Sequence, residues 1–203
     1  LVGDDGVLTR MLAGGHLSSL VFWGLPGVGK TTMARILAQH SNNHFEQISA
    51  IFSGVADLKK LFEATKMRRQ SGQGTLLFVD EIHRFNKSQQ DAFLPVMEDG
   101  TITLIGATTE NPSFELNAAL LSRCQVLVLK RLDDTALDNL LMNAQERLGG
   151  KLGLTDEAKE TLKALADGDG RYFLSLIEQV HAQVKEQSID LDTEGLLKII
   201  QKR

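Results

Sequence analysis

Apolar residues fall into two rhythms along this chain. Over the first 130 positions, short apolar runs at 19–23, 44–49, 75–79, 101–106 and 125–129 alternate with helix-like stretches at 5–13, 30–40, 54–70, 87–99 and 116–122. Short runs of this kind read as buried strands, and their alternation with helices predicts an α/β fold with a parallel sheet covered on both faces. Gly72-Gln73-Gly74 stops the third helix, and Asp99-Gly100 makes the turn before the fourth strand. After Lys130 the strand rhythm ends. Residues 133–148, 155–167, 170–186 and 192–202 read as amphipathic helices, with starts at Thr155-Asp156-Glu157 and Asp192-Thr193-Glu194. Tyr172, Leu176, Val180 and Val184, with Phe173 and Ile177 beside them, predict a core stripe. The change of rhythm divides the chain into an α/β domain at 1–130 and a small helical domain at 131–203.

The segment between the first strand and the helix after it carries chemistry. Gly24-Leu25-Pro26-Gly27-Val28-Gly29-Lys30-Thr31 fits G-x-x-x-x-G-K-[ST] at every fixed position. Glycines let backbone N–H groups curl around phosphate oxygens, and the helix N-terminus adds the positive end of its dipole. Lys30 would reach the β and γ phosphates, and the Thr31 hydroxyl would bind Mg²⁺. Pro26, Gly27, Val28, Gly29 and Thr32 complete the expected nucleotide cradle.

Two more strands end in polar residues. Thr75–Val79 runs into Asp80-Glu81. In nucleotide hydrolases the first carboxylate holds Mg²⁺ and the second polarises the attacking water, which assigns Asp80 to the metal and Glu81 to the base. Leu104–Ala107 runs into Thr108-Thr109-Glu110-Asn111-Pro112. Ligands in parallel sheets sit at strand C-termini, so Thr109 or Asn111 is placed to reach the γ-phosphate or the water.

Composition narrows the picture. The chain has 203 residues, 42% hydrophobic and 24% charged, with formal net charge −4. It has no overall basic footprint for nucleic acid, so any such contact must come from a local patch or from several chains together. Its one cysteine, Cys124, forms no internal disulfide and suits a reducing cytosol; the five histidines show no metal-ligand spacing with it. No apolar run reaches membrane-spanning length and no signal peptide opens the chain, which makes the expected location cytoplasmic. Leu1 in place of an initiator Met reads as a trimmed fragment.

With these elements in place, the chain resembles the AAA+ ATPases, and most closely the replication-associated recombination protein A (RarA, MgsA) family, relatives of clamp-loader subunits. The specific stretches are Asp80-Glu81-Ile82-His83-Arg84-Phe85-Asn86-Lys87-Ser88-Gln89-Gln90-Asp91-Ala92-Phe93-Leu94-Pro95 and Gly106–Asn117, together with Leu121-Ser122-Arg123-Cys124, which is similar to the Ser-Arg-Cys motif of clamp loaders. The resemblance implies a P-loop core with a five-stranded parallel sheet followed by a small α-helical lid. It places Lys30 and Thr31 in Walker A, Asp80 and Glu81 in Walker B, and Thr109, with Asn111 as the alternative, at sensor 1. Arg123 becomes the arginine finger, acting in the neighbouring subunit, where such groups contribute roughly 10³–10⁵ in rate. Gly168-Asp169-Gly170-Arg171 is similar to the sensor 2 motif, with Arg171 contacting the γ-phosphate in cis, and Val2-Gly3 to the end of the adenine-pocket segment. The resemblance also implies an oligomerisation region beyond the lid.

The family further implies ATP and Mg²⁺ as cofactors, a homo-oligomer (a tetramer), and DNA at forks, gaps or ends, with single-stranded DNA included. Single-stranded-DNA-binding protein and replisome components are expected partners, and nucleoid association the expected place. The helix starts at Ser53-Gly54-Val55 and Asn86-Lys87-Ser88-Gln89 match positions that track the DNA backbone in clamp loaders. Lys59, Lys60, Lys66, Arg68 and Arg69 read as a solvated face. The expected function is a DNA-dependent ATPase acting at stalled replication forks or recombination intermediates. A clamp-loader-like nucleotide-gated binding subunit and a Holliday-junction branch-migration motor are the alternatives.

Overall fold

A computed structural model describes residues 6–15, 17–184 and 190–201. The chain folds into two compact units, Leu1–Gly24 with Lys30–Leu129, and Leu25–Gly29 with Lys130–Arg203.

The first unit contains α1 (Val7–Ala13), β1 (Leu20–Trp23), α2 (Lys30–His40), β2 (His44–Ser49), α3 (Val55–Gln70) and β3 (Thr75–Asp80). It continues through α4 (Lys87–Asp91), α5 (Leu94–Glu98), β4 (Ile102–Thr108), α6 (Pro112–Glu115), α7 (Ala118–Leu121) and β5 (Gln125–Val128). All four strand pairings are parallel, in the order β2-β3-β4-β1-β5. The central strands β1, β3 and β4 are apolar almost throughout because helices cover both faces, which is the pattern a wholly buried parallel sheet requires. One side of the sheet packs Val21, Leu77, Val79 and Leu104 against Leu58, Ile82 and Phe93. Phe93 meets Phe62 edge-on at 5.4 Å and Phe85 at 5.7 Å, arrangements that add to their area burial.

The helix read at 87–99 is two short helices. Pro95 lacks an N–H and its ring would clash with the carbonyl four residues back, so the chain turns and restarts, with Pro95 in the first turn of α5. Arg68 is half-buried and leaves the solvated face, while Arg69 stays exposed on it. Arg68 donates to Thr75 Oγ1 at 2.9 Å and Glu46 Oε2 at 3.3 Å, and Arg69 donates to Thr101 Oγ1 at 3.3 Å, so both tie α3 to strand ends.

The second unit contains α8 (Asp134–Leu148), α9 (Asp156–Ala166), α10 (Gly170–Val184) and α11 (Thr193–Gln201). Thr155 caps α9 through Ala158 N–H, and Asp192 accepts from Gly195 N–H at the start of α11. The core stripe of α10 is Phe173, Leu176, Ile177 and Val180, all at most 2% exposed, with Val184 packed at its edge. Tyr172 lies off it at 44% exposed. The buried face is set by the 3.6-residue turn, which brings 173, 176, 177 and 180 together; strict four-residue spacing drifts around the helix. Lys163 is buried and held by Asp138 at 2.9 Å and Glu160 at 2.7 Å; hydrogen bonds to these carboxylates push its pKa above the ordinary lysine range.

Gly168 has φ +75°, and a Cβ there would fall 2.6 Å from Arg131 Cβ and 2.9 Å from Leu132 O. We expect Gly168→Ala to lower unfolding free energy by about 2 kcal/mol or more in urea titration. Gly150→Ala meets nothing within 4 Å and should stay within about 0.5 kcal/mol of the parent.

Burial raises the Cys124 thiol from 9.0 to about 12. Below pH 9 both folded and unfolded chains hold the proton. Above it only the unfolded chain sheds it, so this group's contribution to stability falls as pH rises from 9 toward 12. Iodoacetamide at pH 8 should leave the folded thiol unmodified and label it on unfolding, as read by mass spectrometry.

Candidate nucleotide-hydrolysis site

The site of the first unit is assembled by strand register. Trp23 pairs with Thr108, and Gly24 N–H donates to Thr108 O at 3.1 Å. Val79 pairs with Gly106, which brings Asp80 level with Ala107. The C-terminal ends of β1, β3 and β4 therefore lie side by side, and each carries one of the polar groups read from the sequence.

The phosphate loop has the backbone that its glycines permit. Gly27 sits at φ +75° and Gly29 at φ +91°, a region costly to residues with a Cβ. A Cβ on Gly29 would meet nothing within 4 Å, so it is the backbone conformation that calls for glycine there. At Gly27 space matters as well: a Cβ would fall on the Asp169 carboxylate. Lys30 opens α2, is 8% exposed, and donates from Nζ to Gly24 O at 2.7 Å. A buried ammonium needs oxygen partners, and that carbonyl occupies a position suited to a phosphate oxygen. Thr31 is half-buried and Thr32 exposed in the same first turn. The loop geometry, a buried lysine and a hydroxyl beside it fit a nucleotide phosphate.

Asp80 ends β3. Glu81 follows in the left-handed region at φ 52°, ψ 43°, a conformation that costs a non-glycine residue on the order of 1–3 kcal/mol. A single 3₁₀ turn over Ile82–Arg84 follows it and places His83 back against the sheet. His83 has a side chain 6% exposed; its Nε2 lies 3.3 Å from Glu81 Oε2 and its Nδ1 3.0 Å from Thr108 Oγ1. Thr108 is fully buried, and its Oγ1 accepts the Glu110 N–H at 3.0 Å. The sequence shows His83 only as a histidine without metal-ligand spacing, and it gives no reason to single out Thr108. Among the described residues no cluster of three or more His, Cys, Asp or Glu could hold a metal by itself. A cation here would lean on Thr31, Asp80 and the nucleotide, which is how Mg²⁺ is ordinarily held.

Thr109 is the first residue past β4 and Asn111 caps α6, accepting from Ser113 N–H at 3.0 Å. The capping bond commits the Asn111 oxygen, which leaves Thr109 as the less constrained of the two. Gln90 is buried and fixes the following segment: its Nε2 donates to Phe85 O and Glu115 O, and its Oε1 accepts from Asn117 N–H.

Arg123 stands at the other end of the sheet. It precedes Gln125, which pairs with Leu20 at the start of β1. The four residues of β1, at about 3.3 Å each, separate that level from the phosphate loop. Its guanidinium donates to Glu98 Oε1 from Nε at 2.9 Å and to Ala119 O at 2.8 Å.

The helices α3 and α4 begin where the sequence reading puts their starts. Gly54 takes the cap of α3, with its N–H donated to Asp57 Oδ2 at 2.8 Å, and Ser53 does not cap. Asn86 and Gln89 cap each other at the start of α4, which occupies backbone donors otherwise open to phosphates. Lys87 and Ser88 remain exposed there.

In the second unit Asp169, to which the sequence alone assigns no role, caps α10 by accepting from Tyr172 N–H at 2.9 Å, and Gly170 N–H donates to Gly27 O at 3.1 Å. Arg171 lies exposed in the first turn of α10. Leu25, Pro26, Arg131, Leu165, Gly168 and Tyr172 help line a pocket of about 350 Å³. Val2 and Gly3 fall outside the described residues. No helix among the described residues is long and apolar enough to cross a membrane.

Comparison with known proteins agrees with this geometry. Residues 20–132 match the ATPase family associated with various cellular activities (AAA). The chain is 49% identical over 178 residues to replication-associated recombination protein A of Escherichia coli (strain K12), covering 85% of this chain and 40% of that protein. It is 51% identical over 183 residues to the protein of the same name in Coxiella burnetii, covering 88% and 41%. The chain thus spans about two fifths of the length of these curated relatives. Among solved structures it is similar to the Thermotoga maritima RuvB Holliday junction branch migration motor, with a TM-score of 0.77 at 25% identity, covering 96% of this chain and 65% of that one. A parallel five-stranded core, a glycine phosphate loop and paired carboxylates at the adjoining strand end agree with these likenesses: the chain belongs to the AAA family of ATPases, in its replication-associated recombination protein A group.

Proposed function

We propose that this chain hydrolyses ATP as the motor part of a DNA-dependent ATPase that acts at stalled replication forks or recombination intermediates. The observation that carries the hydrolytic reading is the alignment of the β1, β3 and β4 ends, which gathers Lys30, Thr31, Asp80, Glu81 and Thr109 on one edge of the sheet. The DNA reading is supported by the names of the relatives.

On this reading the loop amides from Pro26 to Thr32 and the Lys30 ammonium hold the phosphates. Thr31 and Asp80 would hold Mg²⁺, which when bound would neutralise phosphate charge. Glu81 takes the proton of the attacking water, and Thr109 or Asn111 orients that water or the γ-phosphate. Arg171 contacts the γ-phosphate in cis, and Val2 and Gly3 belong to the adenine pocket. Arg123 is at the wrong end of the sheet to serve its own phosphate loop and so completes the site of a neighbouring copy. Lys87 and Ser88, exposed at the start of α4, contact DNA phosphates without reading bases. The homo-oligomer, single-stranded-DNA-binding protein and replisome components, and a cytoplasmic, nucleoid-associated place, belong to the same proposal.

Steady-state ATP hydrolysis measured without DNA, with blunt duplex and with gapped or forked duplex tests it. We expect stimulation by gaps or forks, and loss of about 10² or more in turnover with ATP binding retained for Glu81→Gln. Mg²⁺-dependent ATP binding without hydrolysis in any condition would favour the nucleotide-gated binding reading. Stimulation confined to four-way junctions would favour the branch-migration motor, the reading the RuvB likeness supports.

Mixing Arg123→Ala with Lys30→Ala chains should restore part of the activity that each lacks alone. Of the two kinds of mixed interface, one pairs an intact phosphate loop with an intact arginine and the other lacks both. No rescue in a verified mixed assembly overturns the trans assignment.

A further inference from the structure

We propose that His83 is the positioning residue of Glu81, and that Thr108 selects the imidazole tautomer that lets it act. The proposal rests on the reading of Glu81 as the base and extends it to a pair of buried residues with no part in the hydrolysis scheme above.

A proton count decides between the tautomers. The Thr108 hydroxyl has one proton and two acceptors within reach, His83 Nδ1 at 3.0 Å and Glu110 O at 3.2 Å. If the proton goes to Glu110 O, His83 must carry its own proton on Nδ1. The neutral ring then turns the Nε2 lone pair toward the Glu81 carboxylate 3.3 Å away. With the imidazole 6% exposed, little water softens that repulsion. If the proton goes to Nδ1, the ring carries Nε2–H, and that hydrogen faces Glu81 Oε2. Of these two neutral forms, only the second places opposite polarities together at both ring nitrogens. Glu110 O, released in that arrangement, belongs to an exposed residue. The hydroxyl oxygen keeps the Glu110 N–H as its own donor.

The consequence is a defined carboxylate. Glu81 has a left-handed backbone set by the sharp exit from β3, and its carbonyl accepts from Arg84 N–H at 2.8 Å, so its main chain is pinned. The side chain is anchored through Oε2, which leaves Oε1 as the oxygen to accept a proton from water. A base oriented by a second group, itself oriented by a third, is the general logic of an aligned catalytic base. The third group here ends β4, directly before Thr109. The link therefore joins the strand that reads the γ-phosphate to the strand that carries the base.

The test uses the whole chain and two independent readouts. Long-range ¹H–¹⁵N spectra of the imidazole, taken without nucleotide, should show His83 with its proton on Nε2, and Thr108→Val should move it to a mixture of tautomers. A parent ring protonated on Nδ1 overturns the proposal whatever the turnover.

In ATP hydrolysis, His83→Phe should lower kcat about tenfold or more while affinity for a fluorescent ATP analogue changes less than about twofold. His83→Gln, whose amide can take the place of Nε2, should recover more than His83→Asn, whose amide can take only that of Nδ1. Unchanged kcat in His83→Phe overturns the proposal, as does the reverse order of recovery. Glu81→Gln separates the two levels. If it still turns over, the base reading fails. If it is dead while His83→Phe is fully active, only the positioning role fails.

Discussion

The chemistry of this chain depends on one pairing constraint: β3, β4 and β1 lie parallel and adjacent, with their ends nearly level. A parallel sheet cannot be joined by tight hairpins. Each strand must return through a crossover, and every crossover begins at the same edge. That edge collects all the strand-to-helix exits, and with them the polar residues that end the strands. The phosphate loop, the carboxylate pair and the Thr108–Asn111 turn are three such exits. Moving β4 by one residue relative to β3 would separate His83 from Thr108 and turn Thr108 to the other face of the sheet.

Much of this is legible in the sequence because residue type and backbone need coincide there. Glycine at 27 and 29 marks positive φ, and Asp80-Glu81 after an apolar run marks a strand end. What stays hidden arises from pairing or from small rotations. His83 and Thr108 are 25 positions apart and meet only when β3 and β4 lie together; neither local period nor motif spacing records that. Tyr172 falls on the core stripe only when a four-residue step replaces the helix's 3.6. The four-residue helix α6 is too short to show a period, and the break at Pro95 lies inside an unbroken apolar rhythm. Arg68 reads as solvated because its partners, Glu46 and Thr75, lie on other elements.

Polar groups in the interior of the first unit are few, and they serve placement. Gln90 satisfies both ends of its amide on backbone groups from two segments, which holds the stretch from Phe85 to Asn117 as one piece. Thr108 accepts the Glu110 N–H and so fixes the turn after β4. Among the described residues no buried side-chain nitrogen or oxygen is left without a partner, so the positions of these groups are determined by bonds as well as by packing.

The location of Arg123 at the start of β5, with the phosphate loop at the far end of β1, gives the first unit a direction. On the proposed reading one end offers an arginine and the other needs one. A two-fold interface lets two groups satisfy each other reciprocally only when one patch holds both, and a giving surface and a receiving surface at opposite ends of the sheet do not share a patch. On the proposed reading, copies would therefore associate in a heterologous sense, each handing its arginine onward. Such an arrangement closes only as a ring or continues as a helix, and a symmetric dimer would leave both of its active sites without their arginine.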